Sequence, residues 1–420
     1  MQDWHLCMAC AFTGLFAGCL QGRNRVDRSS VPSGYSDVKE KCRCRVISSL
    51  DIGGAEMALY RILSRMDRRH FQNTAICLIE IGPVGDKIRA AGIPVHSLGM
   101  RRGRPSVRGL WRLARILQRE CPDILQTWLY HADLLGLVTA TLLRVPITVW
   151  NIRASNMDMS RYRRLSGWTV RLCALLSGLP QAVIVNSEAG SAFHAQYGYR
   201  PRQWVLIPNG IDTQHFHPDA SARQEVRHEL GIAPEALLIG LMARFDPMKD
   251  HATFLQAAGH LAHVEAGAQF VLVGERVTVN NPVLSALIAQ SQLSGRIHLL
   301  GPRSDVPRLM AALDIASSSS ISEGFPNVIG EAMACSVPCV VTDVGDSARI
   351  VEETGIVVPP RNPLALMEGW QRLIGLGQAG RQQMGRMARV RIQQYYSLER
   401  IVQRYEAFYM SLVKERQCVA

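Results

Sequence analysis

No two aspartates stand two residues apart anywhere in the 420-residue sequence, so the D-x-D clamp that often holds a divalent cation is missing. No dinucleotide glycine fingerprint follows a strand, which speaks against a dehydrogenase. Aromatic residues are scarce, at 6%, with only Trp111 and Tyr162 inside the basic runs 101–119 and 161–164. That removes the stacking platform of a nucleic-acid binder, and no nucleic-acid partner is expected. There is no internal repeat and no low-complexity tract. The apolar run LCMACAFTGLFAGCL, residues 6–20, falls short of the roughly 20 residues that a membrane-spanning helix needs.

What is present fits a globular chain. Hydrophobic residues make up 47% and charged residues 20%, and the length suits two domains of roughly 100–200 residues each. The eleven cysteines include Cys77, Cys173, Cys335 and Cys339 inside apolar stretches, where a free thiol acts as a small hydrophobe. Cys42 and Cys44 are too close together for a zinc site. A reducing, cytoplasmic setting is expected. Residues 1–44 form an extension whose apolar run has signal-peptide length, yet no Lys or Arg precedes it. LFAGC departs from a lipoprotein cleavage box at Phe16. Signal, anchor and disordered start all remain as readings of this segment.

The net charge of +12 is unevenly placed. Residues 1–200 hold 27 Lys and Arg against 14 Asp and Glu, whereas residues 201–420 hold 20 against 21. The basic surface therefore belongs to the N-terminal half, and it points to an anionic partner there.

From residue 44 short apolar strands alternate with helical stretches. CRVISSL, TAICLI, DILQTW, ITVW and AVIVNS are the strands of the first half, with helices such as Ala55–Met66, Val107–Glu120 and Ala132–Leu143 between them. PNGIDTQHFHPD, residues 208–219, is dense in turn residues and serves as a linker. The alternation then restarts with LLIGLMAR, QFVLVGE, IHLLG, DIASSS and PCVVTD. The fold class is therefore α/β, two Rossmann-like, doubly wound parallel-sheet domains facing across a cleft. The expected boundaries are 45–207 for the first domain, 208–380 for the second and 381–420 for C-terminal helices that pack back towards the first.

In SEGFPNVIGEAM, Glu323 lies in the loop after a strand, and Glu331 lies about two turns into the helix that follows. Ligands of open α/β sheets sit beyond the carboxyl ends of the strands, and the unpaired N–H groups of a helix start suit a phosphate. Carboxylates on either side would accept hydrogen bonds from hydroxyls, so the pair suits a sugar nucleotide. A surface glutamate plus a helix-face ion pair is the plain alternative. In MARFDPMKD, Arg244 ends a strand and Lys249 precedes the next helix; such cations can hold a diphosphate, with charged hydrogen bonds worth roughly 1.5–3 kcal/mol each. A solvated basic turn explains the same spacing. Gly53-Gly54 follows the first strand, where lack of a Cβ permits close backbone approach, although a bare turn explains the pair as well.

These stretches together resemble a known family. EGFPNVIGEAMACSVPCVVTD, with its E-x7-E spacing, looks like the signature of the retaining GT-B glycosyltransferases of family 4. MARFDPMKD is similar to that family's phosphate clamp. VLIPNGID, LVGE, LGPRSDVPRLMAALDIASSSS and SSLDIGGAEMALYRIL follow the family order across residues 45–415. The resemblance implies that Glu323 contacts the donor sugar, Glu331 the ribose, and that Arg244 and Lys249 stabilise the leaving diphosphate. It implies that Gly324, Phe325, Pro326 and Asn327 line the donor loop, and that Gly53 and Gly54 approach the diphosphate from the opposite domain. His131 matches a family histidine near the donor sugar, although Gln126-Thr127-Trp128 stands where many relatives carry His-x-His. No cofactor or metal is expected, because positive side chains and a helix dipole would take a cation's place. Arg153, at another strand end, is a further candidate for the cleft.

The acceptor side is marked by charge alone. Arg108, Arg112, Arg115 and Arg119 lie at helical spacing on one face, with Val107, Leu110, Ala114 and Leu117 opposite. Arg101, Arg102, Arg104, Arg161, Arg163 and Arg164 flank them. A solvated helix face is one reading; docking on an anionic membrane leaflet, at about 1 kcal/mol per nearby cation, is the other. The implied enzyme transfers a sugar from a nucleotide diphosphate sugar, UDP-sugar first and GDP-sugar second, to a lipid-linked or polysaccharide acceptor at the inner face of the plasma membrane. Its rivals are a nucleotide-sugar epimerase and a non-catalytic membrane-docking protein.

Overall fold

The computed structural model describes residues 41–101, 106–153, 164–293 and 295–419. The apolar run 6–20, Arg102, Arg104, Arg161 and Arg163 lie outside them.

The first half runs β1 (Lys41–Ile47), α1 (Gly54–Arg65), β2 (Phe71–Cys77), α2 (Pro83–Ala90), β3 (Val95–Ser97), α3 (Val107–Glu120), β4 (Ile124–Trp128), α4 (Tyr130–Leu143), β5 (Ile147–Ile152), α5 (Arg164–Leu176), β6 (Ala182–Val185), α6 (Glu188–Gln196) and β7 (Trp204–Leu206). The second runs α7 (Ala220–Glu229), β8 (Leu238–Met242), α8 (His251–Val264), β9 (Gln269–Val273), α9 (Pro282–Gln290), β10 (Ile297–Leu299), α10 (Val306–Ala312), β11 (Ile315–Ser318), α11 (Asn327–Ala334), β12 (Cys339–Thr342), α12 (Ser347–Val351) and β13 (Gly355–Val358). Helices α13 (Pro363–Gly375), α14 (Gly377–Arg391) and α15 (Leu398–Val419) close the chain.

The strands form two parallel sheets, ordered β3-β2-β1-β4-β5-β6-β7 and β10-β9-β8-β11-β12-β13. Strands β4, β5, β11 and β12 are buried along their whole length, as apolar runs covered by helices on both faces must be. Each sheet reverses its winding once, between β1 and β4 and between β8 and β11. These switch points open a crevice at the carboxyl edge.

Alternation along the strands splits the first half's core into two layers. Val46 and Leu125 face Leu113 and Leu117 of α3 and Ala132 and Ala140 of α4. Ile47, Ile124 and Trp128 face Leu59 and Leu63 of α1, together with Ile401, Tyr405 and Tyr409 of α15. The last helix thus crosses back and seals the first sheet. Beneath it Arg43 and Arg45 of β1 are fully buried, with guanidiniums 4.0 Å from the Phe71 ring centroid and 4.9 Å from that of Tyr409. Among the described residues no helix is long and apolar enough to cross a membrane.

Candidate functional site

The second half builds its site from two adjacent strand ends. After β8 the chain exposes Arg244, whose Nε donates to Asp246 Oδ2 at 3.2 Å. Asp246 also accepts from the Met248 N–H at 2.9 Å, which closes a single 3₁₀ turn over Pro247–Lys249. Asp250 then adopts left-handed φ and ψ of 46° and 59° and caps α8 through Thr253. Lys249 is therefore fixed between a turn and a cap.

From β11, Ile321 N–H donates to the Met248 carbonyl at 2.9 Å, and Ser319 Oγ donates to the Lys249 carbonyl at the same distance. This stitching brings Lys249 Nζ onto Glu323 Oε1, which also accepts from Ser320 Oγ at 2.6 Å. Behind it, a Cβ at Gly345 (φ +58°) would lie 2.4 Å from the Glu323 carbonyl oxygen, so the loop demands glycine there. The Arg244–Asp246 pair is exposed and adds little stability. Arg244 can turn towards a ligand at small cost.

Helix α11 begins at Asn327, so Glu331 stands about one turn into it rather than two. Its carboxylate lies 3.7 Å from Arg61 Nη2 of α1, in the opposite half. Burial raises its pKa, and Arg61 pulls the other way. Phe325 turns inward against Tyr396, with ring centroids 5.6 Å apart, so it anchors the loop through the core. Pro326 precedes the helix, and Asn327 Oδ1 accepts from Asn209 Nδ2 at 2.8 Å. Gly324 offers its carbonyl to the Asp346 N–H at 2.9 Å.

In the first half, Gly53 precedes α1 with extended backbone, and a Cβ there would collide with the Glu56 carboxylate at 2.2 Å. A Cβ at Gly54 would meet no protein atom within 4 Å, so packing does not require that glycine. His131 is exposed in the first turn of α4, and partial desolvation lowers its pKa. Leu129, just before it, holds φ 72° and ψ 147°, strained for a leucine and placed at the switch point. Thr127 and Gln126 turn away from this edge. Thr127 Oγ1 donates to the buried Asp133 at 2.5 Å, and Gln126 accepts from Tyr409 at 2.8 Å. Arg153 is also drawn inward, donating to Tyr405 at 2.7 Å and to Asn209, with its guanidinium 4.4 Å from the Trp128 ring. It braces the linker instead of lining the crevice.

Contacts that escaped sequence reading include Arg61 with Glu331 and Asp346 with the start of α6 between the halves, and Asn209 of the linker with Asn327. Asp346 accepts from the Glu188 and Ala189 N–H groups at 3.0 and 3.2 Å, so a carboxylate of one half caps a helix of the other. Arg349 pairs with Glu188 beside it. The position of Asp346 after a strand end was the available signal. Among the described residues no group of three or more His, Cys, Asp or Glu is placed to hold a metal ion.

The α3 face differs from its helical-wheel reading. Arg112 turns in to donate to the Leu98 carbonyl at 3.0 Å, while Val107 lies exposed with Trp111. Leu113, Ala114 and Leu117 fill the buried side.

Two parallel Rossmann-like sheets, their switch points turned towards each other with carboxylates and cations at the β8/β11 edge, define the GT-B class. The family description Glycosyltransferase Family 4 matches residues 52–215, and Glycosyl transferases group 1 matches residues 235–375. The chain belongs to these glycosyltransferases. EpsF of Bacillus subtilis (strain 168), a glycosyltransferase by its description, is 33% identical over 158 residues, 38% of this chain and 41% of that protein. The Escherichia coli UDP-Gal:alpha-D-GlcNAc-diphosphoundecaprenol alpha-1,3-galactosyltransferase is 23% identical over 312 residues, 72% of this chain and 79% of the relative. The crystal structure of Anabaena Alr3699/HepE in complex with UDP superposes with a TM-score of 0.77 at 22% identity, covering 88% of this chain and 99% of the other.

Proposed function

We propose that this glycosyltransferase moves a sugar from a nucleotide diphosphate sugar, UDP-sugar before GDP-sugar, to a lipid-linked or polysaccharide acceptor in surface glycan assembly. It acts with retention and without metal. The observation that carries the reading is the convergence of Lys249 and Glu323, with Arg244 beside them, at the β8/β11 switch point. The E. coli relative takes a UDP-galactose donor and a diphosphoundecaprenol-linked acceptor by its name, and HepE binds UDP. Both favour this donor and acceptor class.

In this mechanism the bond between the sugar's C1 and the diphosphate oxygen breaks as the acceptor oxygen approaches C1 on the same face. The acceptor proton passes to the departing phosphate oxygen. Arg244 and Lys249 offset the charge that grows on the diphosphate, with the N-terminus of α11 nearby. Glu323, released from Lys249, orients sugar hydroxyls, and Glu331 holds the ribose. Gly53 and Gly54 admit the diphosphate, with His131 beside the sugar. The missing D-x-D motif supports the metal-free route. We place the enzyme in the cytoplasm, peripheral on the inner face of the plasma membrane through its basic first half.

The test supplies radiolabelled UDP- and GDP-sugars with bacterial lipid extract and EDTA, then assigns the anomer of the product. Transfer with the donor's anomeric configuration supports the reading. Inversion, absolute dependence on a divalent ion, or epimerised donor without acceptor consumption would contradict it.

A further inference from the structure

Helix α5 carries an exposed apolar stripe. Trp168, Leu172 and Leu175 recur at i, i+4 and i+7, and Leu179 continues the line into the following turn. Trp168 is 68% and Leu175 80% exposed, unusual for side chains of this size on one face. Neighbouring helices extend the patch. Helix α4, packed on α5, exposes Val138 and Leu142, and α3, packed on α4, exposes Val107 and Trp111.

The exposed Lys, Arg, Asp and Glu side chains on or beside the described parts of these helices are all arginines. Arg108, Arg115, Arg119, Arg144 and Arg171 are exposed on or beside the three helices. The only acids on these helices are Glu120 and Asp133. Asp133 is fully buried, and Glu120 accepts from Thr74 Oγ1 at 2.9 Å. Two copies of the chain meeting through this face about a twofold axis would set arginine against arginine. An anionic bilayer instead offers acyl chains to the stripe and phosphates to its rim. The opposite face of the same sheet is sealed by α15.

We propose that α5 seats the protein on an anionic lipid bilayer, with the Trp168–Leu179 stripe entering the boundary between headgroups and acyl chains and the flanking arginines holding lipid phosphates. This deepens, and rests on, the membrane-side reading given above, with apolar insertion by α5 as the anchor and the α3 arginines as its rim. The geometry suits transfer to a lipid-linked acceptor. Because β5, α5 and β6 form a parallel crossover, α5 starts at the carboxyl edge that bears the site, with Trp168 at that end.

The test uses the full chain and vesicles of phosphatidylglycerol with phosphatidylethanolamine, or of phosphatidylcholine, in co-sedimentation at low and high salt. Leu172→Ser with Leu175→Ser should lower partitioning on the order of tenfold or more while leaving UDP binding in vesicle-free solution unchanged. Trp168→Phe should remove a fluorescence component that brominated lipid quenches, which is independent evidence if the leucine variant fails to fold. Arg108→Gln with Arg115→Gln should weaken binding by only a few fold and steepen nothing at high salt. Partitioning that ignores the leucine pair, or that vanishes at high salt and in the arginine variant alone, overturns the proposal. So does a wild type that binds no vesicles and forms a dimer dissociated by the leucine substitutions. Vesicle binding by a protein that takes up no nucleotide would support the seat and count against the transferase mechanism.

Discussion

The two halves share one strand order around their switch points, yet they spend their sequences differently. The second half, near neutral in net charge, places its polar residues at the β8/β11 edge, where Ser319, Ser320, Lys249 and Glu323 are tied into a single hydrogen-bonded knot. The first half carries the basic excess, leaves its β1/β4 edge with little beyond glycines and His131, and exposes apolar residues on consecutive helices. Exposed apolar residues of the second half, such as Val264, Val279 and Leu364, lie on separate elements. One topology thus supports two kinds of recognition: compact and electrostatic where a small anion must be gripped, broad and apolar where a surface must be met.

The largest effect is expected where the comparison is sharpest. Lys249→Ala should lower kcat on the order of 10²–10³-fold by removing one cation from the leaving diphosphate, with vesicle binding by the first half unchanged; steady-state transfer assays and co-sedimentation would show both. Loss of both together would break the division of labour. Gly345→Ala forces a Cβ against the Glu323 carbonyl and a side chain into φ +58°, so urea unfolding should report roughly 1–3 kcal/mol of lost stability along with reduced transfer.

The first half offers a pH test. Burial raises the Asp133 carboxyl well above its usual range, so the folded state keeps a proton that the unfolded state gives up from about pH 4 upward. Its contribution to stability is complete below that value and is lost as pH rises through the folded pKa. Asp133→Asn should therefore match wild type in acid and exceed it progressively towards alkaline pH in thermal melts. A parallel pair of melting curves would show that the carboxyl is ionised in the fold. The smallest effect belongs to the contact between halves. Arg61→Ala should raise the Kd for a UDP-sugar by only a few fold, since the mostly buried pair, at 3.7 Å, is too long for a direct hydrogen bond.

Legibility followed chain distance. The doubly wound fold, and the strand-end position of Arg244, Lys249 and Glu323, could be read because each rests on local pattern: apolar runs, turn residues and short spacings. The short edge strands β3, β7 and β13 did not stand out, whereas the similarly short edge strand β10 did through the apolar run IHLLG. The alternation reads from residue 44, whereas β1 begins at Lys41; Arg43 is buried beneath rings supplied by Phe71 and by Tyr409 of α15. The contacts of Glu331, Asn209 and Asp346 join residues more than a hundred apart, which no spacing announces. The inward turns of Arg112 and Arg153 likewise depend on partners that only the folded sheet provides.

The central claim is that the β8/β11 edge grips a nucleotide diphosphate without metal. Calorimetric titration of UDP and GDP into wild type and Arg244→Ala, with EDTA throughout, tests it most directly. Saturable UDP binding to wild type, weakened on the order of tenfold or more by the substitution, is the expected result. Binding that needs a divalent ion, or that ignores Arg244, would contradict it.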